Sequence, residues 1–186
     1  MGTSKARGTP KQAAATAAPT KLQPFPEKTF IIDNGAYTIK AGYVDQDLIQ
    51  NEEEALSACV TVPNALAKTR DNRVFVGAQL STHISDWNEV AFRRPVEKGY
   101  LVNWEAQKEI WEQAFFDEKK TAAAPARAKE AARIASPAET TLILTDTPNG
   151  MPALQKNADE MVMEEWGFGA YARITGEFVV PFPGLF

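Results

Sequence analysis

The clearest pattern in the chain is a pair of short apolar runs on either side of a tight turn. The run Phe30–Ile32 is followed by Asp33-Asn34-Gly35, and a second extended run covers residues 38–44. Asn-Gly between two extended runs is typical of a hairpin turn. The pattern therefore predicts an antiparallel β-hairpin that begins at Thr29.

Three further runs have the length and composition of strands. The first covers residues 57–63 and stops at Pro63, which lacks an amide hydrogen for the ladder. The second covers residues 74–77. The third, residues 140–145, is typical of a buried strand and ends before the turn residues 148–150.

Two other segments repeat apolar residues at helical spacing. In residues 104–119, Trp104, Trp111 and Phe115 share one face, and Asn103 is suited to cap the first turn. In residues 152–166, apolar side chains fall at i, i+4, i+7, i+8 and i+12. The order of hairpin, strands, helix, strand, helix and strand predicts an α/β layer architecture.

Charge is divided unevenly along the chain. The 186 residues include 20 Lys+Arg and 24 Asp+Glu, for a net charge of −4. Residues 1–26 hold four bases and no acid, so the remaining residues carry −8. We expect residues 1–28 to form a disordered basic tail, because a segment rich in Ala, Thr, Pro and Lys buries too little apolar surface to fold. Mitochondrial targeting and phosphate contacts with nucleic acid are the alternatives for this tail.

The composition excludes several classes of protein for this chain. Cys59 is the single cysteine and His83 the single histidine, so the chain offers neither an internal disulfide nor a Cys/His zinc site. No apolar run approaches the roughly 20 residues that span a bilayer. We therefore expect no metal site and no membrane segment. Residues 119–139, which are rich in Ala, Lys and Arg, are predicted to be a surface insertion.

The motif with candidate chemistry is Asp33-x-Gly35-x4-Lys40, which spans the predicted hairpin. Gly35 would let the backbone amides of the turn approach a phosphate, and Lys40 would neutralise its charge. Asp33 would hold the waters of a magnesium ion. The alternative is a purely structural hairpin with Asn34-Gly35 at its turn and a solvated Lys40. Short motifs match by accident, so the motif alone favours this structural alternative.

These residues also carry a family resemblance. The run from Phe30 to Gly42 resembles the first phosphate loop of actin and the actin-related proteins. The likeness continues through residues 94–104 and the following helix, and through residues 144–148, which are similar to the strand-end Thr-Glu-Ala-Pro of actin. Within the family, the sixth class of actin-related proteins, a chromatin-remodelling class, is the most similar in residues 36–37, 64–68, 98–104 and 164–168.

The resemblance implies a ribonuclease-H-like α/β fold of the actin ATPase superfamily, with a mixed sheet, helices and a partial first lobe. Residues 29–61 and 93–180 would form an incomplete subdomain 1, and residues 62–92 a reduced subdomain 2. Residues 181–186 would be a tail. We expect the chain to represent the N-terminal half of such a protein.

The resemblance also implies a role. Members of this class are nuclear subunits of SWR-type chromatin-remodelling complexes, which exchange a histone variant in nucleosomes. The implied partners are protein subunits of that complex, including a small zinc-bearing subunit, with nucleosomal histones contacted indirectly. The implied location is the nucleus, and also the cytoplasm.

Departures from the actin pattern argue against catalysis. Ala36 and Tyr37 stand where actin continues with Ser-Gly, so a hydroxyl donor is lost and a bulky side chain is added beside the nucleotide path. The water-orienting glutamine of actin aligns at or near Thr175, whose side chain is too short for that role. We expect no catalytic residue, no second phosphate loop and no cofactor for this chain. The vestigial phosphate loop would consist of Asp33, Asn34, Gly35 and Lys40. ATP with Mg²⁺ bound by a full-length form, and a cytoskeletal actin-like protein, are the alternative functions.

Overall fold

The computed structural model describes residues 25–44, 59–84, 87–88, 90–116 and 133–175. The strands are, in chain order, β1 (Lys28–Asn34), β2 (Thr38–Tyr43), β3 (Val60–Pro63), β4 (Leu66–Thr69), β5 (Val74–Val76), β6 (Val90–Arg93), β7 (Val96–Glu97), β8 (Tyr100–Leu101), β9 (Thr140–Asp146) and β10 (Ala170–Thr175).

The α-helices are short, and two of them continue into a π-helical turn. They are α1 (Gln79–His83), α2 (Trp104–Trp111, followed by the π-helical segment Glu112–Phe116) and α3 (Pro152–Glu160, followed by the π-helical segment Met161–Glu165). A 3-10 turn at Pro137–Glu139 precedes β9.

The largest unit is a five-stranded mixed sheet with the strand order β10-β9-β1-β2-β3. β1 and β2 form the antiparallel hairpin, in which Asp33 lies opposite Lys40. β9 runs parallel to both β1 and β10. The carboxyl ends of these three parallel strands therefore meet at one edge of the sheet, which is where ligand sites of α/β proteins commonly form.

One face of this sheet packs against α2. In β1, Phe30 and Ile32 are buried, while Ile31 between them is only partly buried. The Phe30 ring meets the ring of Phe115 edge-on, with the ring centroids 5.5 Å apart. The remaining fully buried side chains of this core include Ile39, Ile110, Trp111, Leu142 and Val162.

A second, three-stranded sheet has the order β5-β4-β6. It carries a small core of Ala65, Ala67 and Leu80. A two-stranded hairpin, β7–β8, leads from this sheet into α2.

The predicted hairpin is confirmed, but its turn is displaced. Asn34 still pairs with Ile39 in the ladder, so Gly35, Ala36 and Tyr37 form the connection. The prediction of an Asn34-Gly35 turn is therefore wrong by one residue, because hydrogen bonds from α2 hold Asn34 in the strand.

Both predicted helices are present in the described residues. The cap is confirmed, because Asn103 Oδ1 accepts the Ala106 N–H at 3.0 Å. Neither helix is α-helical throughout its predicted length, since each changes to π-helical geometry in its last described turns. Strands β4 and β6 were not predicted, since each is only four residues long and interrupted by charge.

Several predictions fall on residues that the structure does not describe. They include the tail over residues 1–24, most of the insertion 119–139 and the tail 181–186. The division into subdomains stays a prediction. Among the described residues, no helix has both the length and the apolar character needed to cross a membrane.

Candidate functional site

The predicted loop lies at the carboxyl edge of the main sheet. Asp33 Oδ1 accepts a hydrogen bond from the Thr145 hydroxyl at 2.9 Å, and the same hydroxyl oxygen accepts the backbone N–H of Asn34 at 3.1 Å. Thr145 belongs to β9. The parallel pairing of β1 with β9 therefore determines where the loop begins.

The side chain of Asn34 points into the protein. Its Nδ2 donates to Gln107 Oε1 at 3.0 Å, and its Oδ1 accepts from Trp111 Nε1 at 3.1 Å. Gln107 and Trp111 are both buried residues of α2. Both polar ends of Asn34 are thus satisfied by the helix, in a place where an unmade hydrogen bond is costly.

Asn64 extends these contacts to the main chain of the loop. Its Nδ2 donates to the Gly35 carbonyl at 2.8 Å, and its backbone N–H donates to the Tyr37 carbonyl at 2.8 Å. The amides of Asn64 and Gln107 also exchange hydrogen bonds at 3.1 and 3.2 Å. Both residues are 0% exposed. We call Asn34, Asn64, Gln107 and Trp111 the amide network; it holds the inner side of the loop without any charge.

Gly35 is required by the shape of the connection. A Cβ atom at this position would lie 2.6 Å from the Thr38 carbonyl oxygen, a distance that side chains do not tolerate. The backbone geometry therefore requires glycine at this position, whether or not a phosphate binds.

The outer side of the loop carries a different contact. Tyr37 is 72% exposed, and the guanidinium carbon of Arg94 lies 4.4 Å from the centre of its ring. This is a cation–π pair at an exposed position. Tyr37 therefore stands where the actin resemblance leads us to expect glycine, and Arg94 lies against its ring.

The structure brings three of the four predicted loop residues to one cavity. Asp33, Asn34 and Gly35 line a cavity of about 460 Å³. Lys40 is partly buried and does not line it. Lys40 lies directly opposite Asp33 in the hairpin, so the two side chains leave the sheet on the same face.

The far wall of this cavity is an ion-pair cluster. Asp146 Oδ2, at the end of β9, lies 3.2 Å from Arg173 Nη1 and accepts from Gln155 Nε2 at 2.9 Å. Arg173 Nε lies 2.9 Å from Asp159 Oδ1. This ion pair leaves the Asp159 side chain about half exposed.

The charge of the cavity lining does not suit a polyphosphate. The ionisable acids and bases that line it are Asp33, Asp146 and Arg173, which sum to −1. The one cation among these lining residues is already paired with carboxylates. An anionic ligand would meet net repulsion here unless it brought its own cation.

Thr175 lies away from the start of the loop. The register pairs Thr175 with Asp146, whereas Asp33 is joined to Thr145, the preceding residue of β9. Neighbours in a strand point to opposite faces, so Thr175 and Asp33 lie on opposite faces of the sheet. Thr175 is not among the residues that line the cavity beside Asp33.

Sequence reasoning missed Asn64, Gln107 and Arg173 as site residues. Gln107 falls on the buried stripe of α2 together with Ile110 and Trp111. A polar residue on an otherwise apolar helical stripe needs a buried partner, and this was the available signal. Asn64 and Arg173 have no comparable local signal.

The single cysteine and the single histidine lie outside this cavity. Burial raises the pKa of the Cys59 thiol, which keeps it protonated and a poor nucleophile. The His83 ring stacks on Phe75, with the ring centroids 5.9 Å apart. Within the described part of the chain, no group of His, Cys, Asp or Glu is arranged to hold a metal ion.

Comparison with known proteins defines the class to which this fold and loop belong. The family model for actin matches residues 26–183. The chain belongs to the actin family.

Three curated relatives carry the names actin-like protein arp6 or actin-related protein 6. The chain is 60% identical to the actin-like protein arp6 of Aspergillus fumigatus over 181 residues, which is 95% of this chain and 36% of that protein. It is 56% identical to the actin-like protein arp6 of Emericella nidulans, over 98% of this chain and 36% of that protein. It is 44% identical to the actin-related protein 6 of Neurospora crassa, over 91% of this chain and 32% of that protein. The chain thus spans about a third of the length of these curated relatives.

Proposed function

We propose that this chain is part of a non-catalytic subunit of a nuclear, SWR-type chromatin-remodelling complex that exchanges a histone variant. Support comes from the resemblance to the sixth class of actin-related proteins and from the names of the fungal relatives. The proposed partners are other protein subunits, including a small zinc-bearing one, with histones contacted indirectly. The proposed location is the nucleus, and also the cytoplasm.

The observation that carries the non-catalytic part is the amide network. Asn64 and Gln107 hold the loop from inside with neutral, fully buried hydrogen bonds. A loop fixed in this way needs no bound phosphate to keep its shape. This suits a protein that uses the actin fold as a rigid assembly module.

The outer side of the loop supports the same proposal. Ala36 offers no hydroxyl, and Tyr37 projects a ring that stacks with Arg94. Phosphoryl transfer depends on positioning and on cations around the phosphates. The net charge of −1 in the adjoining cavity is the opposite of that requirement.

The test is affinity purification of the tagged full-length gene product from its own cells, with tagged actin from the same cells as the control. We expect subunits of a remodelling complex and histones to be enriched over the control, and fluorescence imaging to place the protein in the nucleus. Recovery of no remodeller subunit would overturn the proposal.

A second candidate is a protein that binds ATP and Mg²⁺. The placement of Asp33 and Gly35 at one cavity, with Lys40 opposite Asp33, favours it. Asp33 would hold the hydrated metal, and the loop amides and Lys40 would meet the phosphates. Calorimetric titration with Mg-ATP that shows micromolar affinity, lost in Lys40→Ala, would support this candidate over the first.

A third candidate is a cytoskeletal actin-like protein. Sedimentation of the purified full-length product under polymerising salt conditions separates it from the first candidate. We expect no polymer; a filamentous pellet would favour the cytoskeletal function.

A further inference from the structure

The sequence contains two Asn-Gly pairs, Asn34-Gly35 and Asn149-Gly150. Asparagine is a thermolabile residue, and a following glycine leaves its side chain open to attack, because no Cβ atom shields the main-chain nitrogen. The attack closes a succinimide ring, which water then opens to aspartate or isoaspartate. Both pairs have the same local chemistry, so a difference in their reactivity must come from the fold.

The fold protects the first pair. Asn34 Nδ2 donates to Gln107 Oε1 at 3.0 Å, and Asn34 Oδ1 accepts from Trp111 Nε1 at 3.1 Å. Ring closure expels this nitrogen as ammonia and moves this oxygen, so both hydrogen bonds must break before the reaction can proceed. Hydrogen bonds to the buried side chains of α2 are costly to break. The amide network therefore keeps Asn34 from reacting.

The second pair lies in the turn that joins β9 to α3. Asn149 is exposed, and its side chain forms no hydrogen bond within the described part of the chain. The Gly150 N–H closes the turn by donating to the Thr147 carbonyl at 3.2 Å. At the surface such a bond is exchanged for one to water at little net cost. The Gly150 nitrogen can therefore turn toward the side chain of Asn149.

This turn is part of the cavity that the phosphate loop lines. Thr147, Pro148 and Gly150 are all lining residues. A Cβ atom at Gly150 would lie 2.6 Å from Gln155 Nε2, the atom that donates to Asp146 Oδ2 at 2.9 Å. A larger residue would disturb that hydrogen bond, so the reactive pair lies directly against the ion-pair cluster of the cavity wall.

We propose that Asn149 is a site of spontaneous deamidation at the rim of this cavity. The Gly150 nitrogen gives its proton to a base from the solvent and bonds to the side-chain carbonyl carbon of Asn149. The side-chain nitrogen leaves as ammonia, and the ring then takes up a water molecule. The reaction needs no oxidant, no reductant and no enzyme. Its product carries a negative charge where the asparagine was neutral.

The new charge arrives where the cavity is already acidic. The ionisable residues of the lining, Asp33, Asp146 and Arg173, sum to −1. A further carboxylate in the turn strengthens the repulsion of an anionic ligand. The isoaspartate product also adds a methylene to the main chain, which moves Gly150 relative to Gln155. Deamidation therefore changes both the charge and the shape of this wall.

The test is peptide mapping by mass spectrometry of the full chain, sampled over time at mildly alkaline pH. Electron-transfer fragmentation distinguishes aspartate from isoaspartate. We expect Asn149 to convert more than about tenfold faster than Asn34, because Asn34 must first lose two protected hydrogen bonds. Equal rates at the two pairs, or a faster rate at Asn34, would overturn the proposal.

Asn157 is the internal control for exposure. It is exposed in α3, but alanine follows it instead of glycine. We expect its conversion to be much slower than that of Asn149. Conversion of Asn157 as fast as that of Asn149 would contradict the proposal, because exposure alone would then account for the reaction.

The same measurement in concentrated urea removes the protection by the fold. Since only the local sequence remains, Asn34 and Asn149 should then convert at similar rates. A tenfold difference that persists in urea would overturn the structural explanation, because the sequence alone would produce it.

Variants of α2 test the protection of Asn34 directly. Trp111→Phe removes the donor to Asn34 Oδ1 and keeps an aromatic ring, and Gln107→Leu removes the acceptor of Asn34 Nδ2. Each should accelerate conversion at Asn34 and leave the rate at Asn149 unchanged. An unchanged rate at Asn34 in both variants would show that the amide network does not protect it.

Asn149→Gln identifies the signal, since the longer side chain closes a ring far more slowly. Conversion in this turn should disappear in the variant, and its persistence would assign the reaction to another residue. None of these outcomes depends on whether the protein is a remodeller subunit, which the affinity purification tests separately.

Discussion

The two sides of the phosphate loop are held by contacts of opposite kinds. On the inner side, Asn64 and Gln107 are 0% exposed and make neutral hydrogen bonds. On the outer side, Tyr37 is 72% exposed and meets the charged Arg94. Contacts shielded from water are costly to break, whereas exposed pairs contribute little. The inner side therefore determines the shape of the loop, and the outer side is available for other contacts.

The most damaging change should be Gln107→Leu. It leaves the half-buried Asn34 Nδ2 without its acceptor and the fully buried Asn64 Oδ1 without its donor. We expect the free energy of unfolding to fall by about 3 kcal/mol. Urea unfolding of the chain followed by circular dichroism measures this.

Glu105→Gln on the same helix is the control for Gln107→Leu, since Glu105 is exposed. It should change stability by less than about 0.5 kcal/mol. A loss below about 1 kcal/mol in Gln107→Leu would show that the inner side does not determine the shape of the loop.

A smaller loss is expected from Gly35→Ala. The added Cβ would lie 2.6 Å from the Thr38 carbonyl oxygen, so the connection must shift. We expect a destabilisation of about 2 kcal/mol, measured in the same urea titration. Gly167→Ala is a useful comparison, because the space around Gly167 is open but its φ is +65°. If Gly35→Ala cost less than Gly167→Ala, backbone conformation would outweigh the close contact.

Local patterns were sufficient to predict the hairpin and both helices, but not the position of the turn. The apolar run before Asp33 and the cap at Asn103 depend on near neighbours. Asn34, by contrast, is held in its strand by Trp111, which is 77 positions away in the sequence. No local pattern contains that contact, so the turn was predicted one residue too early.

The candidate site was predictable only in part, for the same reason. Asp33 and Gly35 belong to a short motif, and they do line the cavity. Arg173 reaches the cavity because β10 lies beside β9, which brings it to Asp146, 27 positions away. Gln107 was detectable as a polar residue on an apolar stripe, but its partners were not.

Two tyrosines extend the comparison to other buried polar groups. Tyr171 has a buried hydroxyl with no hydrogen-bond partner among the described residues, whereas the Tyr43 hydroxyl donates to the Arg133 carbonyl at 3.1 Å. Tyr171→Phe should therefore stabilise the chain by about 1 kcal/mol, and Tyr43→Phe should destabilise it by a similar amount. Thermal melts at neutral pH measure both changes. The same sign for both variants would contradict the argument.

The same tyrosines predict the alkaline behaviour. Burial raises the pKa of Tyr171, and the nearby Asp159 carboxylate raises it further. Burial also raises the pKa of Tyr43. Because each folded-state pKa lies above the ordinary value of 10.0, the unfolded chain loses these protons first as the pH rises. The contribution of these groups to the free energy of unfolding is therefore fully present below pH 10.0 and is lost as the pH rises through the folded-state pKa. Tyr171→Phe should weaken the pH dependence of the melting temperature above that value, and an unchanged alkaline limb would contradict this.

The smallest effect should come from Arg94→Ala, on the outer side of the loop. The lost cation–π contact with Tyr37 is exposed, so we expect a destabilisation of about 0.5 kcal/mol. Tyr37→Ala and the double variant complete a cycle that isolates the coupling energy from the effect of each truncation. A coupling above about 2 kcal/mol would mean that the outer contact is as important to the loop as the buried network. A coupling near about 0.5 kcal/mol would mean that Tyr37 and Arg94 can contact a partner protein with little loss of stability.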